Sequence, residues 1–267
     1  MSVASDDWYS EWKGWAKEDF GNPTTDERAY CHAELGPYIS RTRMRVLELG
    51  FGNGGLLAWC RDNGHDCVGI ESNAMLLTRA SGAGFEVADS LAEALHRYGS
   101  HSFDLAVALD VFEHIPTLEL PGVLGNLHVL LKPGAVLIAR FPNGDSPFGR
   151  ASQHGDDTHV AVLGSAKLAL FARRAGFTVA CFKEPSVPLK GASFLRICKR
   201  LSSKASRFVI GALISHGYFA GSIRVFSANL VAVLRSQRTI DPGSPKSPGG
   251  PDLDATKEKT PHTEEHK

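Results

Sequence analysis

Apolar positions along this chain follow two rhythms, and the two alternate. Short apolar runs bounded by turn residues read as strands: Arg45–Leu49, Cys67–Ile70, Phe85–Ala88, Phe103–Leu109, Ala135–Phe141, Gly176–Phe182 and Ala228–Leu234. Helical spacing separates most of them and predicts helices over Thr25–Ile39, Leu56–Asn63, Ala74–Ala80, Leu118–Leu131 and Ser165–Ala175. Strands alternating with helices argue for an α/β fold, a parallel sheet with helices on both faces. Ahead of this region, Trp8, Trp12 and Trp15 stand at i, i+4 and i+7 on one face of a predicted helix, for which Ser5 or Asp6 is the cap. The pattern divides the chain into a Trp-rich helical segment over 1–40, a main domain over 41–238 and a tail over 239–267. The tail holds five of the 14 prolines and, as apolar residues, little beyond Ile240, Leu253 and Ala255, so it reads as disordered.

Composition narrows the class. Hydrophobic residues make up 43% of the 267 and charged residues 22%, close to the globular average, which excludes a wholly disordered or fibrous chain. The formal charge is zero, which argues against a dedicated nucleic-acid-binding protein. That zero hides blocks. Residues 1–189 carry 16 basic and 23 acidic groups, residues 190–238 nine basic and none acidic, and the tail four basic and six acidic. Five widely spaced cysteines without a CxxC favour neither a disulfide framework nor a zinc cluster, and fit a reducing compartment. The acidic N-terminus does not resemble a signal peptide. The apolar run Phe208–Ala220 falls short of the ~20 residues that span a bilayer. A cytoplasmic protein is expected, with peripheral contact at the inner face of a membrane left open.

The first chemical signal is Glu48-Leu-Gly-Phe-Gly-Asn-Gly54, between a predicted strand and a predicted helix. Glycines there allow positive φ and close backbone approach, and a helix N-terminus favours an anionic group. Glu71 ends the next strand, 21 positions after Gly50, where an acidic residue binds ribose hydroxyls. The plain alternative is a tight turn and a surface glutamate. Dinucleotides and S-adenosylmethionine (SAM) both use this architecture. Glu48 discriminates, because a carboxylate repels a pyrophosphate but favours the amino group and sulfonium of SAM.

These residues resemble class I SAM-dependent methyltransferases. Glu48 to Gly54 is similar to their first motif, Gly69-Ile-Glu71 to the acidic end of strand two, and Ala88-Asp89-Ser90 to the loop at the adenine. Phe103 to Ile115 is similar to their fourth strand and the segment after it, and Leu130-Leu-Lys-Pro-Gly-Ala135 to the turn before strand five. The resemblance spans about residues 43–182. It implies a Rossmann-like, seven-stranded, mostly parallel sheet with a reversed last strand, and SAM as methyl donor. The cofactor residues expected are Glu48, Gly50, Phe51, Gly52, Asn53, Gly54, Glu71, Ser72, Asp89, Ser90 and Leu109.

An oxygen acceptor gains from a general base. Glu113-His114 follows the fourth strand, where the resemblance puts the acceptor pocket; capping is the other use of this pair. The polar loop Pro142–His159 follows strand five on the edge where open α/β sheets bind ligands. The catalytic candidates are therefore His114, His154 and His159. A solvated loop and a metal site from His154, Asp156 and His159 are alternatives; no metal is expected. The Trp face either packs on the domain or forms a lid over the SAM pocket.

Residues 190–222 read as a basic helical insertion. Phe194, Ile197, Cys198, Leu201 and Phe208 share one face, and Arg196, Lys199, Arg200, Lys204 and Arg207 lie mostly on the other. Such a helix covers the sheet, faces an anionic substrate, or contacts a membrane through 190–210. Together with the Trp segment and the loop, it resembles bacterial methyltransferases of polysaccharide biosynthesis. That implies a sugar hydroxyl on a glycan, anionic or lipid-linked, as acceptor. Alternatives are a quinone or lipid acceptor, a NAD(P)-dependent oxidoreductase, and a non-catalytic SAM-binding protein.

Overall fold

A computed structural model describes residues 12–15, 19–40, 42–188, 193–219 and 225–237. Trp8, the tail over 239–267 and the two ends of the insertion lie outside the described residues.

Seven strands form one sheet: β1 (Arg45–Leu49), β2 (Asp66–Ile70), β3 (Glu86–Ala88), β4 (Phe103–Leu109), β5 (Leu131–Pro142), β6 (Phe177–Lys183) and β7 (Asn229–Ser236). Their order is β3-β2-β1-β4-β5-β7-β6. β1 to β5 pair in parallel, and β7 runs antiparallel to both neighbours. This is the α/β, Rossmann-like arrangement with a reversed last strand. Period-two alternation splits the core between the faces. Leu47, Ile70, Ala106 and Leu137 pack on one side, and Val46, Leu105, Val107 and Ile138 on the other.

Helices α1 (Thr25–Leu35) and α2 (Gly55–Asp62) cover the second face, with Leu35, Leu56 and Trp59 buried against it. α3 (Ala74–Gly82) adds Leu76 and Ala80 beside Phe51 and Leu57. α4 (Leu91–Tyr98), α5 (Leu120–Leu130) and α7 (Ser165–Arg174) cover the first face, and α6 (Arg150–His154) is a short helix in the loop after β5. α8 (Phe194–Phe219) is continuous and mostly exposed. None of the described helices is long and apolar enough to cross a membrane.

Three differences from the sequence reading have local causes. α1 stops at Leu35 and passes into a 3-10 turn over Gly36–Tyr38, because Pro37 cannot continue the hydrogen-bond ladder. α4 was not expected, although Ser90 caps it through Glu93 N at 3.1 Å. β5 begins at Leu131 rather than Ala135. Leu131 already pairs with Phe103, and the Lys132-Pro133-Gly134 bend, with Gly134 at φ 83°, becomes an irregularity in the strand.

Candidate active site

The C-terminal ends of β1, β2 and β4 open into a cavity of about 1090 Å³. That exceeds a typical ligand pocket of ~300–1000 Å³, so the space suits a cofactor and a second molecule. The glycine loop forms its floor. Gly50 donates its N–H to Ile70 O at 2.7 Å, tying the loop to β2. Gly52 adopts φ +51°, and a Cβ there would stand 2.8 Å from the Trp15 ring. Trp15 itself lines the cavity.

Glu48, on β1, is buried beneath this loop and also lines the cavity. One of its carboxylate oxygens has no hydrogen-bond partner. Burial, followed by the nearby Cys60 and Glu71, pushes its carboxyl well above the usual range. A buried acid in this state suits an incoming cationic group. At the end of β2, Glu71 Oε1 accepts from Ser72 N (2.9 Å) and Asn73 N (3.2 Å), which holds the carboxylate at the cavity wall. Ser72, Asp89, Ser90, Phe51, Asn53 and Leu109 complete the expected set at the cavity. Gly54 does not line it; it begins α2 at φ +72°, against the Phe20 ring.

Asp110, Arg140 and Tyr30 also line the cavity, and the sequence reading missed them. Asp110 takes φ 58°, unusual for a side chain. Arg140 Nε donates to its Oδ1 at 2.9 Å, and the guanidinium lies 4.9 Å from the centre of the Tyr30 ring. Burial raises the Tyr30 hydroxyl, so it stays protonated. Residues 30 and 140 are far apart in sequence, and no motif links them.

His114 sits in a 3-10 turn over Phe112–His114, directly after β4, and lines the cavity with Thr158. Its Nδ1 lies 3.3 Å from Thr158 O and 2.9 Å from Thr158 Oγ1. A carbonyl only accepts, so Nδ1 carries the proton and Nε2 the lone pair. The Thr158 hydroxyl donates to Asp156 Oδ1, and Lys13 Nζ stands 3.2 Å from Asp156 Oδ2. Burial opposes ionisation of Asp156, yet the hydrogen bonds from Thr158 and Lys13 win and hold its carboxyl below the usual range. Burial and the neighbouring His159 lower His114, so it is neutral near pH 7.

His159 packs behind His114, ring centres 4.7 Å apart, with Nδ1 3.2 Å from Gln153 O. His154 is exposed on α6 and does not line the cavity. Glu113 is 2% exposed, and burial pushes its carboxyl up to about 8. The metal alternative named His154, Asp156 and His159. Among the described residues, the groups whose donor atoms lie within 4.8 Å of one another are instead Glu113, His114 and His159.

Comparison with known proteins agrees with this fold. The family model of a methyltransferase domain matches residues 26–181. A SAM-dependent methyltransferase from Archaeoglobus fulgidus is similar in structure: TM-score 0.59, 18% identity, 86% of this chain and 98% of that one covered. A putative methyltransferase in complex with the Trm112 activator of Haloferax volcanii gives 0.59 at 15% identity, covering 89% and 100%. A putative sarcosine dimethylglycine methyltransferase from Galdieria sulphuraria gives 0.53 at 16%, covering 88% and 99%. These identities carry the fold alone. Among curated proteins, none matches in sequence. Since the family model spans more than half of the chain and falls on the strand, loop and helix units that build the cavity, the chain belongs to the methyltransferase-domain family, as an enzyme whose cofactor is S-adenosylmethionine.

Proposed function

We propose that the enzyme methylates a sugar hydroxyl on a glycan or polysaccharide precursor. The observation that carries this reading is His114, neutral and bearing its lone pair on Nε2, in the wall of a cavity that has room beyond the cofactor. An alcohol is a poor nucleophile until its proton is drawn away, so a base in this tautomer is of most use to an oxygen acceptor.

SAM supplies a methyl carbon on a cationic sulfur. We assign its ribose hydroxyls to Glu71, its cationic end to the region of Glu48, and its adenine to Asp89 and Ser90. His114 takes the proton that the acceptor hydroxyl gives up. Thr158 and Asp156 fix the imidazole and stabilise the charge it gains. Trp15 and Tyr30 line the same cavity.

A second reading has its own observation. The clustered donor atoms of Glu113, His114 and His159 would suit a divalent cation that holds the acceptor oxygen. One experiment tests both. The enzyme is incubated with methyl-labelled SAM and cell-envelope glycans, with and without chelator. A methyl ether on a sugar, formed with chelator present, supports the base mechanism. Loss of turnover on chelation supports the cation. Label found only in quinones or lipids overturns the sugar assignment.

A further inference from the structure

α8 presents its faces the wrong way round for a helix of a soluble domain. Its 26 residues make a rod of about 39 Å at ~1.5 Å per residue. The body meets it at a few points. Gly211 packs on Phe226, Phe219 lies 6.2 Å from the same ring, and Arg196 and Arg200 approach Asp26 at 3.5 and 3.4 Å. A surface helix ordinarily turns its apolar stripe to the core. Here two arginines face the body, and the stripe of Phe194, Leu201 and Phe208 turns outward with Leu195, Val209 and Leu213 along one flank, while Ile197 is half-buried. Phe194 is 77% exposed, Leu195 80%, Phe208 76% and Leu213 69%. A continuous exposed apolar stripe marks a binding surface.

Charge selects what covers it. The helix holds five Lys or Arg residues and no Asp or Glu. Lys199 and Lys204 are exposed and border the stripe on opposite edges. A second copy would set its own Lys199 and Lys204 against these. An anionic bilayer offers acyl chains to the stripe and phosphates to the edge lysines. We propose that α8 lies in the plane of an anionic lipid surface. Asp26, which anchors α8, also lines the cavity, so this docking brings the active site to a lipid-anchored acceptor. That last step rests on the glycan reading; the lipid contact does not.

The test uses the full chain with vesicles of phosphatidylcholine alone or mixed with phosphatidylglycerol. Co-sedimentation should rise at least ~10-fold with the anionic lipid and fall in high salt. Leu201→Glu with Phe208→Glu should abolish it, and Lys199→Gln with Lys204→Gln should weaken it, while both variants keep wild-type SAM affinity by calorimetry. SAM binding is read in the same samples, so a failed methyltransferase reading is separable from a failed docking surface. Equal sedimentation with both vesicles, none with either, or variants that bind as wild type would overturn the proposal. So would a dimer in ultracentrifugation that L201E/F208E disperses, which assigns the stripe to a second copy.

Discussion

At the scale of single residues, two side chains make sharp predictions. The carbonyl of Thr158 fixes the tautomer of His114, and Asp156 fixes the hydroxyl beside it. His114→Ala should therefore lower kcat by ~10²–10⁴-fold, the worth of a positioned general base, and leave the Kd for SAM unchanged. In the wild type, kcat/KM should fall on the acid side as His114 gains a proton. The midpoint should lie below the ordinary histidine value, because burial and His159 lower it. A pH profile without that limb would remove His114 as the base. Glu48 gives the second prediction. Burial raises its carboxyl well above the usual range, which favours the protonated form in the free protein. A cationic ligand at its side favours the ionised form, so binding SAM near neutral pH should release a proton. Calorimetry in buffers of differing ionisation enthalpy measures the release, and Glu48→Gln should abolish it. The same raised value sets a sign for stability. Burial of the neutral acid favours the fold fully below the unfolded carboxyl range, and that advantage is lost as pH rises through the folded value. The melting temperature of Glu48→Gln should accordingly vary less as pH rises above the ordinary carboxyl range.

At the scale of elements, the glycine loop shows how far sequence could be read. Strand, loop, helix and acidic strand end stand in one continuous stretch, so Glu48, Gly50, Gly52 and Glu71 were legible and line one cavity. What lay hidden depends on distance or context. Asp110 and Arg140 meet only because β4 and β5 are neighbours, and Tyr30 reaches them only because α1 packs on the same face. His154 and His159 share a loop in sequence, but α6 turns one to solvent while the following bend packs the other behind His114. Helix α4 was missed because Ser90 suited a cofactor loop, and it is both a helix cap and a cavity residue. Gly52 carries the prediction at this scale. A side chain there adopts a left-handed φ and meets the Trp15 ring at 2.8 Å. Gly52→Ala should cost about 1–2 kcal/mol in thermal unfolding from backbone strain alone. Trp15→Ala in the same background should relieve the contact and not the strain, so stability should return only in part.

At the scale of the whole molecule, the fold and the charge map divide the labour. β7 reverses between β5 and β6 and closes the sheet on the side away from the glycine loop. Asn143 pins that closure to the loop after β5, donating to Val225 O at 2.9 Å and Ser227 O at 3.2 Å. The cavity thus rests on the β1, β2 and β4 half of the sheet, and ligand binding there should stabilise a body that unfolds as a unit. A ligand that binds only the native state adds RT ln(1 + [L]/Kd), which is ~2.7 kcal/mol at about 100 times Kd. For a chain of this size each kcal/mol is worth roughly 2–4 °C, so saturating SAM should raise the melting temperature by about 5–10 °C. NADH shares the ribose and the adenine but brings a pyrophosphate to the loop over Glu48. It should give no comparable shift, because a cationic group draws Glu48 into its ionised form and is stabilised by it, whereas a pyrophosphate holds Glu48 neutral and gains no such attraction. Equal shifts from both nucleotides would mean that Glu48 does not set cofactor choice, and the electrostatic argument that separates the two cofactors would fail at its first step.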